Sequence, residues 1–397
     1  MNVLLIWDGE YPWDVRIEKV CDTLLRDGHE VHLICRNQRR RPRTENCGGI
    51  RVHRIAALRA GLGAVLNDAF TFPAFFNPVW WRELRAVGRS ASFDVVIVRD
   101  LPMAVAGIWL ARLLQTPVVL DMAECYPELI RAVWQFERFR PSNIFVRNPF
   151  IADWLERWVV QRMDQIWVMV DESKARLIKK GVNASNIRIV SNTPRVNTFQ
   201  RKPVRPIGRV DQLRLVYVGL VNPSRGLDIV IRAVAQLKNH WPRPVLEVYG
   251  TGKAMQELLE LAASLGIEDA VRFHGWIDRR EVPSVIQAAD VGIVPHLQCS
   301  HWNNTIPNKL FDYMAAGVPV LVSDVRPAAR IVSSETCGLV YAAASPEDLA
   351  AKLVAMSVDD TRSRLGANGR IAVERTYRWD IDERGITLGL EQLRQDQ

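Results

Sequence analysis

The stretch Thr305-Ile-Pro-Asn-Lys-Leu-Phe-Asp-Tyr-Met-Ala-Ala-Gly-Val-Pro-Val-Leu-Val-Ser-Asp324 decides how the rest of the chain is read. Proline at 307 suits the first turn of a helix, where a missing N–H costs nothing, and Gly317 suits the left-handed residue just past its end. The spacing therefore predicts a short helix from near Pro307 to Gly317. Residues 319–323 then form an apolar run closed by Asp324, as expected of a parallel strand covered on both faces. Asn308, Lys309 and Asp312 fall three and four residues apart and are expected on one side of the helix start. Backbone N–H groups and the positive dipole end make that start a candidate anion site, to which Lys309 adds a charge. Asp312 cannot favour the same anion, but it suits the paired hydroxyls of a ribose. A phosphate beside a diol describes a nucleotide; a solvated helix with an i,i+3 Lys–Asp pair is the plainer alternative.

Outward from this stretch, apolar strands alternate with helical patterns. In the first half the strands are expected at 3–7, 31–35, 95–98, 118–120, 166–169 and 187–190, which argues for a parallel sheet with helices on both faces. Residues 14–26 read as an amphipathic helix. The loop 8–13, with Gly9, then sits at the carboxyl end of the first strand, where open α/β sheets bind ligands. Arg16 just beyond it either meets a phosphate or forms a salt bridge with Asp14 or Glu18; the second reading is preferred. Asp121-Met-Ala-Glu124 follows another strand at its carboxyl end. Residues 192–212 hold prolines and basic residues without periodicity and read as a hinge. A second sheet starts at Leu213-Arg-Leu-Val-Tyr-Val-Gly219, and Arg225 projects from the loop after it. Gly250-Thr-Gly-Lys253 lacks P-loop spacing and supports no ATPase.

From Pro307 to Val320 the sequence resembles the donor-site signature of the retaining glycosyltransferases of family four, which have the GT-B fold. The resemblance implies an α/β chain of two Rossmann-like doubly wound domains facing a central cleft. The boundaries it suggests are an acceptor domain at 1–195, a hinge at 196–212, a nucleotide-sugar domain at 213–375 and a closing helix at 376–397. It implies that Asp312 binds the nucleotide ribose. Gly219, Gly275, Trp276, Asn304, Thr305, Asn308 and Leu310 would line the donor site, and Arg225 and Lys309 would hold the diphosphate. Asp121 and Glu124, with Tyr126 and Pro127, match the family's Asp-x-His-Glu-x-Tyr-Pro, and the two carboxylates are expected to be catalytic, near the transferred sugar. Gly9 and Arg16 are expected on the acceptor side.

Three positions depart from the family pattern. Ala123 replaces its histidine. Leu220 replaces the first of two diphosphate-holding basic residues, a contact that Lys253 or Lys309 would have to supply. Asn304 replaces the first of two acidic residues. His274 is read as a base contact or as a hydrogen-bonded structural histidine.

The chain has 397 residues, enough for two domains, and a hydrophobic fraction of 48% that excludes a disordered protein. The first residues are expected to form a strand rather than a signal peptide, and no apolar run is long enough to span a bilayer. The six cysteines form no paired or histidine-flanked cluster, so neither a zinc site nor a disulfide framework is expected. A formal charge of +8 invites an anionic partner, yet no nucleic-acid-binding signature is present. An uncharged, aromatic-dense segment, 70–81, and a region that mixes aromatics with arginine, 131–160, suggest peripheral contact with an anionic membrane. In the second, residues 150, 151, 154, 155, 158 and 159 are expected on one helical face.

The expected activity is transfer of a hexose, N-acetylated or deoxy, from a UDP-sugar to an acceptor hydroxyl with retention, without a cofactor or metal. The acceptor is expected to be a saccharide, or one linked to a polyprenyl diphosphate, in bacterial surface polysaccharide synthesis on the inner face of the plasma membrane. A sugar-nucleotide epimerase of the same architecture and a non-catalytic nucleotide-sugar-binding subunit are the alternatives.

Overall fold

A computed structural model describes residues 1–12, 14–55, 77–137, 147–199 and 211–395. The chain divides into two compact units, Met1–Ser191 with Asp382–Gln397, and Asn192–Ile381. The second unit thus starts at the beginning of the proline-rich hinge. Most of that hinge, 200–210, lies outside the described residues, as do 70–76 and 138–146 of the two aromatic regions.

The first unit is built on β1 (Asn2–Glu10), β2 (Glu30–Arg36), β3 (Thr44–Cys47), β4 (Ile50–Arg54), β5 (Val95–Arg99), β6 (Val118–Met122), β7 (Gln165–Val168) and β8 (Ile187–Ile189). Their order is β3-β4-β2-β1-β5-β6-β7-β8. All pairs are parallel except β3 with β4, and β1 is in register with β2 at Val3–Val31 and with β5 at Val3–Val95. Apolar runs covered on both faces give this arrangement: every residue of β5, β6 and β7 is buried. From β1 the chain builds outward through β2 to β4 and then crosses back to β5 on the other side of β1, so the switch point lies at the carboxyl ends of β1 and β5. The β3–β4 hairpin had no clear sequence signal, because Thr44–Cys47 is a polar edge strand.

The second unit carries β9 (Gln212–Val218), β10 (Arg243–Tyr249), β11 (Val271–Gly275), β12 (Val291–Val294), β13 (Val320–Ser323) and β14 (Gly338–Tyr341). Their order is β11-β10-β9-β12-β13-β14, all parallel, with the switch between β9 and β12. Both sheets are thus doubly wound and Rossmann-like. The quoted stretch forms the helix Asn308–Ala315 and the wholly buried β13, as its spacing predicts. Tyr313 pins this helix to the sheet: its ring packs beside Gly292 of β12, and its hydroxyl accepts the Val218 N–H at 3.1 Å.

Part of the aromatic reading is corrected. Trp80 is 1% exposed and belongs to the core. The expected stripe on Pro149–Val160 is not buried as a whole: Leu155 and Val159 pack inward, while Phe150 and Trp154 are 71% and 65% exposed. Glu156 is wholly buried on the same helix, its carboxylate paired with Arg176 and Lys180.

Candidate active site

In the second unit the carboxyl ends of β9, β12 and β13 converge on the start of the helix Asn308–Ala315. Gly219, just past β9, has φ +135°, a conformation that L side chains rarely adopt. A side-chain carbon there would stand 3.1 Å from Lys309 Nζ. Leu220 follows, half exposed, its carbonyl accepting from the Tyr217 hydroxyl at 2.6 Å. The turn Pro223–Arg225 ends at Gly226, whose φ of +67° and close approach to the Pro295 carbonyl exclude a side chain. Leu297 N–H donates to the Ser224 carbonyl at 3.1 Å, tying the turn to the loop after β12.

Lys309 is 9% exposed, and its ammonium lies 3.5 Å from the Tyr217 ring centroid. Among the described residues its Nζ has no hydrogen-bond partner. Burial, then the nearby Arg225 charge, holds its pKa well below the usual lysine value, against a smaller opposing pull from Asp312. Asn308 is exposed and does not share the face of Lys309, since neighbouring helical residues are a hundred degrees apart.

Arg225 Nη1 lies 2.6 Å from His296 Nε2, and its guanidinium sits 4.3 Å from the Trp302 ring centroid. Trp302 Nε1 is buried without a hydrogen-bond partner among the described residues. Two orphaned buried donors beside an arginine are costly unless an acceptor-rich ligand meets them. Burial and the Arg225 charge also push His301 down to about 3.

The remaining donor-site residues are placed as follows. Asp312 is half-buried on the second turn of the helix. Leu310 is fully buried and its N–H already donates to the Pro307 carbonyl, so it offers a ligand neither group. Thr305 is 5% exposed, and Asn304 Nδ2 donates to the Ser300 carbonyl at 2.7 Å. Gly275 has φ +71°, and Trp276 is 77% exposed. His274 stacks on Tyr249 with ring centroids 4.3 Å apart and lies 2.5 Å from Glu247, which satisfies it within the fold. Lys253 is exposed, and its backbone N–H faces Asn222 Oδ1 at 3.3 Å.

In the first unit the acidic residues at the strand ends form a buried ionic network. Arg16 donates to Asp121 at 2.5 and 2.9 Å and to the Val190 carbonyl at 2.8 Å. Arg99 adds a contact to Asp121 at 3.3 Å. Burial raises the Asp121 pKa, but the charges of Arg16 and Arg99 outweigh it and hold the carboxyl below its ordinary value. The side chain of Arg16 thus pairs with Asp121 rather than with Asp14 or Glu18. Asp14 instead caps the helix Val15–Arg26, accepting from Arg16 and Ile17 N–H. Gly9 lies within β1, not in a loop, because the strand continues to Glu10.

Sequence reasoning missed Asp100. It has φ +60° and ψ 169°, a conformation nearly confined to glycine, and its Oδ1 accepts from the N–H groups of Ala123 and Glu124 at 3.0 and 3.1 Å. Asp100 therefore shapes the segment that carries Glu124. No sequence signal marks such a residue, since strain is visible only in dihedral angles.

Two doubly wound units, one with Lys309 and Arg225 gathered at the carboxyl ends of its switch-point strands, define a protein of the GT-B class. The family described as "Glycosyl transferases group 1" matches residues 212–359, and "Glycosyl transferase 4-like domain" matches 14–193. The chain belongs to the family-four glycosyltransferases of GT-B fold, and it is a glycosyltransferase. A phosphatidyl-myo-inositol mannosyltransferase of Mycobacterium leprae is 24% identical over 77% of this chain and 75% of its own. Sucrose-phosphate synthase from Thermosynechococcus elongatus superposes with a TM-score of 0.79 at 17% identity, covering 100% of both chains. HepE of Anabaena, solved in complex with UDP, superposes at 0.71 and 15% identity, covering 99% of this chain and 100% of its own. These structural likenesses show the fold.

Proposed function

We propose that the chain moves a hexose, N-acetylated or deoxy, from a UDP-sugar to an acceptor hydroxyl with retained configuration. The single observation that carries this reading is the buried, unpartnered Lys309 Nζ against the bare backbone of Gly219, beside Arg225. A diphosphate entering there gives both cations an acceptor in a low-dielectric site, where the interaction is strongest. Asp312, on the same helix, takes the ribose. In the reaction the bond from the anomeric carbon to the β-phosphate oxygen breaks, and the acceptor oxygen bonds to that carbon on the same face. Its proton passes to the leaving phosphate oxygen. Arg225 and Lys309 neutralise the departing diphosphate, so the scheme needs no metal.

UDP is favoured because HepE, of the same fold, was solved with UDP. The acceptor proposed is a saccharide carried on a lipid, with a polyprenyl diphosphate as carrier and surface polysaccharide as product. Support comes from the exposed Phe150 and Trp154 and from a relative whose name denotes a lipid acceptor. No helix among the described residues is long and apolar enough to cross a membrane, and peripheral contact through the helix Pro149–Val160 is proposed instead.

Thermal shift against UDP, GDP, ADP, dTDP and their common sugars tests the donor reading, with R225A and D312A beside the native chain. Stabilisation by UDP and its sugars, lost in both variants, is expected. No stabilisation by any nucleotide would overturn the reading. Binding without transfer to any lipid-linked saccharide would favour a non-catalytic subunit, and loss of a free donor without acceptor would favour an epimerase.

A further inference from the structure

Arg225 is held without being neutralised. Its guanidinium contacts are the imidazole of His296 at 2.6 Å and the face of Trp302 at 4.3 Å, and among the described residues no carboxylate pairs with it. A guanidinium only donates hydrogen bonds. His296 Nε2 must therefore be the unprotonated nitrogen, with the proton on Nδ1. The imidazole is itself fixed: it is 2% exposed, its ring packs 4.2 Å from that of Trp302, and its backbone carbonyl accepts from Ser323 Oγ at 2.6 Å. Burial, followed by the charges of Arg225 and Lys309, pushes its pKa well below the usual histidine value and keeps it neutral.

We propose that His296 is a positioning residue of the donor site, which as a neutral Nδ1–H imidazole orients the Arg225 guanidinium while leaving its full positive charge for the diphosphate. This role rests on the donor reading above. An aspartate or glutamate at 296 would hold Arg225 more strongly, through a charge-assisted pair, but would cancel the charge that the phosphate needs. An aliphatic residue would leave the charge and lose the orientation. Neutral acceptor and aromatic face together meet both requirements, and the orphaned Lys309 Nζ nearby provides a second donor for the same anion.

The test measures UDP affinity by calorimetry for the native chain, H296Q, H296A and H296D, with thermal midpoints alongside. Glutamine supplies a neutral acceptor, so H296Q is expected within about threefold of native. H296A is expected to weaken binding about ten- to a hundredfold, the range for a hydrogen bond to a charged group. H296D is expected to bind more weakly than H296A while being at least as stable. A merely structural role predicts the reverse, with affinity following stability. Equal affinity of H296D and native chain would overturn this inference alone; a native chain that binds no UDP would overturn the donor reading and this role with it. Should H296D fail to fold, the imidazole 15N shifts of the native chain still decide. A protonated Nδ1 and bare Nε2 are expected, and the opposite tautomer would overturn the pairing.

Discussion

Lys309 Nζ lies 3.1 Å from the point where a side-chain carbon on Gly219 would stand. The two residues are ninety positions apart, yet the bare backbone at 219 is what leaves room for the ammonium. Gly219→Ala therefore both presses on Lys309 and forces a side chain into φ +135°. We expect it to lower stability by about 1–3 kcal/mol, the usual cost of such strain. UDP affinity should fall more than in a control variant of matched stability elsewhere in the sheet. Calorimetry and thermal melts on the pair check this; unchanged affinity would show that Lys309 is not in the site.

Burial of Lys309 has a consequence for pH. Its folded-state pKa is depressed below the unfolded value of about 10.4. Between the two values the unfolded chain binds more protons, so stability rises with pH through that window. Below it the ammonium is charged in both states and its desolvation weighs fully against folding. Lys309→Met removes this cost. We expect it to raise the thermal midpoint at pH 7, with the gain shrinking as pH approaches about 10.4, while weakening UDP binding tenfold or more. Melts of both proteins from pH 6 to 10 check the sign. A midpoint lowered at all pH values would contradict it.

How far the sequence reaches is clear from individual residues. Proline at 307 and glycine at 317 placed the helix and the buried β13, because both rest on local backbone chemistry. The doubly wound sheets were likewise visible, as runs buried on both faces leave an uninterrupted apolar pattern. Arg16 with Asp121 was not legible as a pair, since nothing local links residues 105 positions apart. Nor was Lys309 legible as a buried group: its neighbours Asn308 and Asp312 are polar, and its environment is made by Tyr217 and Gly219, distant in sequence. Asp100 and His296 lay beyond the reading for the same reason. Their importance comes from contacts made in space.

Asp121 gives a test that separates architecture from chemistry. It lies between Arg16 and Arg99 with 2% of its surface exposed. Asp121→Asn leaves the buried Arg16 guanidinium without its counter-charge, while Arg99 keeps Asp100 at 3.1 Å, and breaking such a pair costs about 3–5 kcal/mol. We expect a corresponding loss in urea unfolding, with UDP affinity of the folded protein unchanged. Its folded-state pKa is held below the unfolded value of about 3.9, so the stabilisation is complete above that pH and lost as pH falls through the depressed value. Native stability with lost turnover would instead restore Asp121 as a catalytic residue.

Asp312 is assigned to the ribose, and the nucleotide itself can test this. The native chain is expected to bind UDP more tightly than 2′-deoxy-UDP, by about tenfold for one lost hydrogen bond to a charged acceptor. Asp312→Ala should bind both equally and weakly. Equal binding of the two by the native chain would move the assignment from Asp312 to another group.

Phe150 and Trp154 stand one helical turn apart on Pro149–Val160, 71% and 65% exposed, with Arg157 exposed between them and the next turn. Large apolar side chains so placed are costly in water and suit the headgroup boundary, where arginine meets lipid phosphate. Because neither ring belongs to the core, Phe150→Ser with Trp154→Ser should leave the thermal midpoint within about a degree or two, as surface changes do. Co-sedimentation with vesicles of phosphatidylglycerol and phosphatidylcholine should drop several-fold in the double variant and fall with added salt in the native chain. Transfer to a water-soluble acceptor should be unaffected, whereas transfer to a lipid-linked acceptor in vesicles should slow. Native protein that remains in the supernatant at low salt would remove the membrane from this account and leave the pair as a surface for a soluble partner.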